Sequence, residues 1–389
     1  MKILHTAEFY HPVSGGVQEA VRQISEGLVK LGHDVCVATS KVNGRSIKSY
    51  NGVLIKEFDI RGNPIDGYTG DVNEYLDFLK NSDFDIMMNY AAQQWATDLA
   101  MESLANIPYK KVIVPCGFSG LYLPQYKPYF EKMKKILLNY DFCIFLSHDY
   151  RDIIFAKNYG VKNIIVIPNG ASEEEFREKF PSTFREKFLI PNESFLIFHV
   201  GSHTGLKGHR EAIKIFQKAK IHDATLVISG NESDNNCSKS CHRKEFLFRI
   251  NPLMRRQNKR LIVKELDREH IINAYHAADL FLFPSNVECS PIVLFESLAS
   301  KTPFLVSDVG NSKEIVRWSN GGAILPTNID RNGYSNVHIS DSAKILEYLF
   351  SNRYLLEKMK LDGFKSWEKN FTWSIIAKKY EDLYLSLLG

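Results

Sequence analysis

The chain has 389 residues, of which 44% are apolar and 24% are charged. That length exceeds what one hydrophobic core usually serves, so two domains are expected. The formal net charge of +4, from 49 basic and 45 acidic side chains, is too small a bias to indicate nucleic-acid binding.

The first half of the chain alternates short apolar runs with amphipathic segments. A strand is predicted over 2–6 and a helix over 17–31, where apolar residues recur every three or four positions. Further strands are predicted over 34–39, 84–88, 111–115, 142–146 and 164–167. Strands that alternate with helices favour a mostly parallel sheet that is covered on both faces.

The second half repeats this alternation after a break. Pro168-Asn169-Gly170 is a turn signal, and the charged segment 172–187 contains few core-forming residues, so a domain boundary is predicted there. Strands are then predicted over 195–200, 225–229, 261–263, 280–283 and 304–307.

A closing helix over 371–388 carries one apolar stripe, which is expected to pack back across the domain junction. We therefore predict an α/β fold of two Rossmann-like domains that face a cleft. Residues 1–170 with 372–389 form one domain in this interpretation, and residues 188–371 form the other.

The cysteines indicate a reducing compartment. Six of them, at positions 36, 116, 143, 237, 241 and 289, follow no regular framework. The segment from Met1 to His5 lacks the apolar core of a secretion signal, and no stretch reaches the roughly 20 apolar residues of a membrane-spanning helix. A cytoplasmic location is the resulting expectation.

A zinc site is conceivable at one segment, which contains Cys237, Cys241 and His242. Only these three ligands lie close in sequence, and no partner pair is evident. No metal site is therefore predicted.

The most informative segment for function follows the strand predicted at 280–283. Glu288 and Glu296 are separated by seven residues there. Carboxylates accept hydrogen bonds from sugar hydroxyls, so the two glutamates are expected to contact different parts of one ligand.

A helix is predicted to start between these glutamates. Ser290 is expected to cap it and Pro291 to be its first residue, since proline loses nothing by lacking an amide there. The amides of Ile292 and Val293 would then point at the ligand. Such a helix start favours anions, and a nucleotide diphosphate is the candidate.

Two glycine-bearing turns provide further anion-binding elements. Gly201, Ser202 and Lys207 belong to a loop between a strand and a helix, where glycine lets the backbone approach a phosphate and lysine supplies a positive charge. The spacing does not match a Walker loop. Gly15 and Gly16 form the second turn, which lacks a dinucleotide fingerprint but lets a donor phosphate or an acceptor come close.

These motifs resemble those of the retaining glycosyltransferases of family 4, which have the two-domain GT-B fold. The resemblance covers nearly the whole chain, from Gly15-Gly16 through Lys207-Gly208 to the segments 288–296 and 307–314. It implies that Glu296 holds the nucleotide ribose, Glu288 contacts the transferred sugar and Lys207 neutralises the diphosphate. It also implies no obligatory metal and no cofactor, with a nucleoside diphosphate sugar as co-substrate. The predicted donor-binding residues are Gly15, Gly16, Gly201, Ser202, Lys207, Glu288, Ser290, Pro291, Ile292, Val293 and Glu296.

The chain departs from the family pattern at two positions. Ser202 stands where the family usually has an arginine, so diphosphate stabilisation is expected to rest on Lys207 alone or on a substitute such as His203 or Arg268. Cys116 stands where the family often has a histidine near the catalytic centre. Cys116 joins Glu288 and Lys207 as a candidate catalytic residue, although it cannot act as the same kind of base and is interpreted as cleft lining.

The resemblance implies transfer of a hexose-type sugar to a hydroxyl of a glycan or lipid-linked acceptor, in surface polysaccharide or lipopolysaccharide assembly. It also implies that the domain of residues 1–170 with 372–389 binds the acceptor and that the domain of residues 188–371 binds the nucleotide sugar. Two alternatives stay open: a sugar-nucleotide epimerase or phosphorylase of the same fold, and a non-catalytic scaffold subunit. A peripheral contact with the inner face of the membrane is a further hypothesis. It rests on the amphipathic, lysine-rich segment 126–140 and the basic segment 243–260. The apolar face of 126–140 is equally typical of ordinary core, and 243–260 is more typical of a solvated loop or helix face.

Overall fold

The computed structural model describes residues 1–177, 183–231 and 236–389. They form two compact units, one of residues 1–169 with 373–389 and the other of residues 170–372. Each unit is a Rossmann-like α/β domain built on a mainly parallel sheet. Five residues of the segment predicted as a linker, 178–182, lie outside the described residues.

The first unit contains ten strands and six α-helices among its described residues, besides three short 3-10 helices. Its strands are β1 (Lys2–Thr6), β2 (Asp34–Ser40), β3 (Ser49–Tyr50), β4 (Val53–Phe58), β5 (Ile60–Asn63), β6 (Gly67–Gly70), β7 (Ile86–Tyr90), β8 (Lys110–Val114), β9 (Phe142–Phe145) and β10 (Ile164–Val166). Its helices are α1 (Gly16–Lys30), α2 (Val72–Asn81), α3 (Trp95–Met101), α4 (Lys127–Ile136), α5 (Arg151–Asn158) and, at the end of the chain, α16 (Trp373–Leu388).

The second unit contains the remaining described elements. Its strands are β11 (Phe195–Val200), β12 (Ala224–Ser229), β13 (Lys259–Val263), β14 (Leu280–Phe283), β15 (Phe304–Val306), β16 (Gly322–Ile324), β17 (Thr327–Ile329) and β18 (Ser335–Val337). Its helices are α6 (Glu173–Arg177), α7 (Phe184–Lys187), α8 (His209–Lys218), α9 (Asn236–Ile250), α10 (Pro252–Arg256), α11 (Arg268–Ala277), α12 (Ile292–Ala299), α13 (Ser312–Ser319), α14 (Ile339–Ser351) and α15 (Arg353–Asn370).

The main sheet of the first unit has the strand order β10-β9-β8-β7-β1-β2-β4-β3. All its neighbouring strands run parallel except β3 and β4. The last helix of the chain, α16, packs on α1 so closely that a Cβ on Gly27 would lie 2.5 Å from Cβ of Ala377. The C-terminal helix thus completes the first unit.

The main sheet of the second unit is entirely parallel and has the order β13-β12-β11-β14-β15-β16. Its central strand β11 is buried on both faces. Phe195 and Ile197 pack in one hydrophobic cluster with residues of α8, whereas Leu196 and Phe198 pack in another with residues of α12. This explains why residues 195–198 of β11 are a continuous apolar run without alternation.

Most predicted strands are confirmed. Those at 2–6, 195–200 and 280–283 coincide with β1, β11 and β14, and the others differ at their ends by one or two residues. The pattern missed β3 to β6 and β16 to β18. All of these except β4 have only two to four residues, too few for a period to be recognised.

The helix predicted to rest on a membrane is α4, and its apolar side belongs to the core. Phe130 and Met133 of this helix, and Leu137 after it, are at most 4% exposed. Among the residues described above, every helix is too short or too polar to cross a bilayer.

Candidate functional site

The loop after β11 carries Lys207. Gly208 ends this loop with φ of +78° and is the N-cap of α8. A Cβ on Gly208 would lie 2.2 Å from the carbonyl oxygen of Pro284, which directly follows β14. Glycine is therefore needed here both for its backbone conformation and for the close approach of the two loops.

Lys207 and Glu288 meet at this point. Nζ of Lys207 lies 2.7 Å from Oε1 of Glu288, and both side chains are partly shielded from solvent. The hydroxyl of Ser285 donates to the same carboxylate oxygen at 3.0 Å and lies 3.1 Å from the carbonyl oxygen of Leu206. Ser285 thus ties the two loops together. Sequence reasoning missed it, although its place two residues after a buried strand was a usable signal.

The pair lies where the strand order of the second sheet reverses. β11 has β12 on one side and β14 on the other, and the strands on each side are reached by successive connections away from β11. Lys207 follows β11 and Glu288 follows β14. Ligands of open α/β sheets bind outside the carboxyl ends of the strands at such a reversal.

Glu296 lies inside α12 and is only 4% exposed. Its Oε1 is 2.7 Å from Nη2 of Arg268, and the same nitrogen lies 2.5 Å from Oε2 of Glu175. Burial opposes the charge on Arg268, but the two carboxylates outweigh it and hold the pKa of Arg268 well above its usual value. The sequence suggested Arg268 as a substitute phosphate ligand. In this structure its guanidinium group forms ion pairs with Glu296 and Glu175.

The start of α12 differs from the prediction by one residue. Pro291 has an extended ψ of 112° and is the N-cap, so the helix begins at Ile292 and Ser290 does not cap it. Instead, the hydroxyl of Ser290 accepts a hydrogen bond from Nδ2 of Asn311 at 3.0 Å. The first amides of a helix, here those of Ile292 and Val293, have no partner within the helix.

Gly201 and Ser202 open the loop that ends at Lys207. The amide of Gly201 donates to the carbonyl oxygen of Ser229, and its own carbonyl oxygen lies 3.0 Å from Nε2 of His209. Ser202 is exposed. His203, the other suggested substitute, is only 3% exposed, and its Nδ1 lies 3.5 Å from Sγ of Cys237.

Three of the predicted site residues lie in the first unit. Gly15 is the N-cap of α1 and Gly16 is its first residue, and a Cβ on Gly16 would meet nothing within 4 Å. Cys116 follows β8 with φ of +59°, an unusual conformation for a residue other than glycine. Burial raises the pKa of the Cys116 thiol, and the Asp152 carboxylate adds to the effect.

The first unit also contains an acidic site that sequence reasoning missed. Asp98 lies in α3, all of whose residues are buried, and it accepts hydrogen bonds from the hydroxyls of Tyr68 and Tyr129 and from the amide of Gln93. Burial raises its pKa to about 6, and the hydrogen bonds oppose that rise only in part. A charged residue inside an apolar helix was the available signal.

Two family models match the chain. "Glycosyl transferases group 1" matches residues 181–336, and "Glycosyltransferase Family 4" matches residues 14–175.

Curated relatives extend over the length of the chain. An uncharacterised glycosyltransferase of Methanocaldococcus jannaschii is 25% identical, over 99% of this chain and 98% of its own length. The lipopolysaccharide glucosyltransferase WaaG of Escherichia coli is 23% identical, over 80% of this chain and 82% of its own length.

Solved structures share the fold. Sucrose-phosphate synthase from Thermosynechococcus elongatus superposes with a TM-score of 0.77 at 18% identity, over 99% of this chain and 98% of that one. HepE of Anabaena in complex with UDP-glucose has a TM-score of 0.76 at 13% identity, over 99% of this chain and all of that one. The two family models and the named relatives, together with this fold, identify the chain as a glycosyltransferase of the GT-B type.

Proposed function

We propose that the protein is a retaining glycosyltransferase that moves a hexose-type sugar from a nucleoside diphosphate donor to a hydroxyl of a glycan or lipid-linked acceptor. The observation that carries this proposal is the contact of Lys207 with Glu288 at the strand-order reversal of the second unit. It places a cation and a carboxylate together where such folds bind nucleotides.

Lys207 and the start of α12 stabilise the leaving diphosphate in this proposal. The ammonium group of Lys207 and the amides of Ile292 and Val293 provide positive charge that is in place before the reaction. When a donor binds, its phosphates compete with Glu288 for Lys207. Glu288 is then released to accept hydrogen bonds from the transferred sugar.

Glu296 holds the ribose. Its carboxylate is buried and aligned by Arg268, so it is ordered before the nucleotide arrives. Prior ordering lowers the entropic cost of accepting hydrogen bonds from two adjacent hydroxyls. The transfer chemistry needs no metal ion under this assignment, because Lys207 and the helix start supply the positive charge.

The departing phosphate acts as the base. The acceptor oxygen forms a bond to the anomeric carbon on the face from which the phosphate leaves, and the acceptor proton passes to a phosphate oxygen. Cys116 does not take that proton, because its raised pKa keeps the thiol protonated and its sulphur a poor acceptor near neutral pH. Cys116 is assigned a lining role in the first unit, to which acceptor binding is also assigned.

The relatives suggest where to begin the search for substrates. One solved neighbour holds UDP-glucose and one curated relative is a lipopolysaccharide glucosyltransferase. We therefore propose a uridine diphosphate sugar as the first donor to test and a surface polysaccharide or lipopolysaccharide precursor as the acceptor. The cytoplasm, where nucleotide sugars are made, is the proposed location.

Nucleotide binding and product stereochemistry test the proposal. UDP, GDP, ADP and dTDP should be compared by thermal shift, since a ligand that binds the folded state raises the melting temperature by mass action. The best donor is then incubated with and without acceptor glycans, and the anomeric configuration of the product is read by NMR. Inversion would refute the retaining mechanism, and conversion of the donor without an acceptor would indicate an epimerase.

A further inference from the structure

A cluster of sulphur and imidazole ligands lies in the second unit, apart from the glutamates assigned to the donor. His203 comes from the loop after β11, and Cys237 and Cys241 come from the first turns of α9. The ligand atoms of these three residues lie within 4.8 Å of one another. His203 and Cys241 are buried, and Cys237 is partly buried.

The spacing of the cluster fits a tetrahedral metal ion. Zinc binds thiolate sulphur at about 2.3 Å and imidazole nitrogen at about 2.0 Å. At a tetrahedral angle, a sulphur and a nitrogen that bind the same ion therefore lie about 3.5 Å apart. Nδ1 of His203 and Sγ of Cys237 are 3.5 Å apart. Cys237 and Cys241 are four positions apart in one helix, which places both sulphurs on the same face.

A neighbouring histidine, His209, stacks on the ring of His203 and has a buried ring nitrogen without a hydrogen-bond partner in the described part of the chain. Nε2 of His209 lies 3.0 Å from the carbonyl oxygen of Gly201, which can only accept, so Nε2 carries the proton and Nδ1 holds a lone pair. That Nδ1 is buried and has no hydrogen-bond partner among the described residues. His209, Cys237 and Cys241 line one cavity of about 310 Å³.

The surrounding backbone makes room for the imidazole of His203. A Cβ on Gly230 would lie 2.4 Å from the carbonyl oxygen of Gly201 and 2.8 Å from Cδ2 of His203. Any larger residue at position 230 would displace the ring. Lone pairs from two thiolates and one imidazole are a soft set that selects zinc over magnesium or calcium.

We propose that His203, Cys237 and Cys241 bind a zinc ion that fastens the loop 201–208 to α9. The ion is structural: it lies on the loop that carries Lys207 and takes no part in sugar transfer. Binding releases the protons of both thiols, so affinity rises with pH. This proposal stands independently of the donor and acceptor assigned above.

The test uses the untagged, full-length protein, because a histidine tag would bind metal by itself. One equivalent of Co²⁺, the spectroscopic substitute for zinc, is added after chelation. We expect a near-ultraviolet thiolate-to-cobalt charge-transfer band that zinc displaces. We also expect His203→Ala and Cys241→Ser to weaken zinc binding by at least about 100-fold. Loss of a residue that only supports a metal ligand costs about 10–100-fold in affinity, and loss of a ligand should cost more.

His242 provides the matched control, because it is the histidine next to Cys241 in sequence. Its Nδ1 lies 3.5 Å from Oε2 of Glu245, so His242→Ala should bind cobalt as the wild type does. A wild-type protein without the charge-transfer band would overturn the proposal. So would equal cobalt affinity in His203→Ala and the wild type.

A measurement on the wild-type chain covers the case in which the cysteine variants do not fold. Zinc should protect two of the six thiols from alkylation, and mass spectrometry should assign them to Cys237 and Cys241. Equal alkylation with and without zinc would refute the site. A disulfide between these two cysteines in the freshly purified protein would also refute it.

Discussion

Nζ of Lys207 and Oε1 of Glu288 lie 2.7 Å apart although 81 positions separate the two residues in the chain. The contact exists because β11 and β14 are neighbours in the sheet, so the loops at their carboxyl ends meet. Without a donor, each group compensates the charge of the other. A bound diphosphate must replace Glu288 as the partner of Lys207. Substitution of either residue is therefore expected to affect donor binding or transfer.

Replacing Lys207 by Ala should lower kcat by about 10²–10³, the usual cost of removing one preorganised donor to a developing negative charge. The melting temperature should change little, because the pair is partly exposed and such pairs contribute about 1 kcal/mol or less. Steady-state transfer kinetics with the best donor provide the measurement. Lys214→Ala, an exposed lysine of α8, is the control and should retain wild-type kcat. Equal kcat in the two variants would contradict the assignment of Lys207.

Replacing Glu296 by Gln should raise the Kd for UDP about tenfold, the equivalent of one hydrogen bond to a charged acceptor. The variant should also lose about 2 kcal/mol of unfolding free energy. That is below the 3–5 kcal/mol expected for breaking a fully buried pair, because the Arg268 side chain is 41% exposed. Calorimetric titration and urea unfolding measure the two quantities.

Glu175 provides the matched control for this variant, since it shares Arg268 with Glu296. Glu175→Gln should also cost stability but should bind UDP like the wild type. If both variants lost nucleotide affinity equally, the role of Glu296 would be only to position Arg268.

Gly205 and Gly208 separate backbone strain from a steric clash. Both have φ near +80°, but a Cβ on Gly205 would meet nothing within 4 Å, whereas one on Gly208 would meet the Pro284 carbonyl oxygen. Gly205→Ala should therefore cost about 1 kcal/mol, and Gly208→Ala about 3 kcal/mol or more. Denaturant unfolding gives both values. Gly208→Ala should also lower kcat, because it displaces Lys207, and similar losses in the two variants would argue against a tight contact.

Asp98 should make the first unit less stable as the pH rises. Its pKa is raised from 3.8 to about 6 in the folded chain, so between these values the folded state binds more protons than the unfolded state. The unfolding free energy then falls with rising pH, by about 3 kcal/mol in total for this group. Below the unfolded pKa the group is protonated in both states and adds no pH dependence to the unfolding free energy.

The comparison with Asp98→Asn separates this effect from that of Asp152, which contributes equally to both proteins. The raised pKa of Glu8 is part of the effect, because the Asp98 charge is one of its causes. Urea unfolding at about pH 4 and about pH 7 should show the wild type losing stability relative to the variant. A constant difference between the two proteins across this range would show that Asp98 does not titrate as described.

Much of the fold was accessible from the sequence. The strands β1, β11 and β14 were predicted with their observed ends, because each is a short apolar run next to a clear turn or helix signal. The helix after β1 was predicted within one residue at each end. The start of α12 was missed by one residue, since the ψ of Pro291 depends on how the preceding loop is held.

The sequence by itself determined the alternation of strands and helices, the positions of the glycine turns and the two glutamates that follow a buried strand. These features are local, because periodicity and turn preference act over a few residues. Only the tertiary structure decided that Lys207 forms an ion pair with Glu288 and that Arg268 forms one with Glu296. It also decided that the histidine close to the two cysteines is His203 and not His242. Such partners come from loops and helices that are distant in the chain, and it is the pairing order of the strands that brings these segments together.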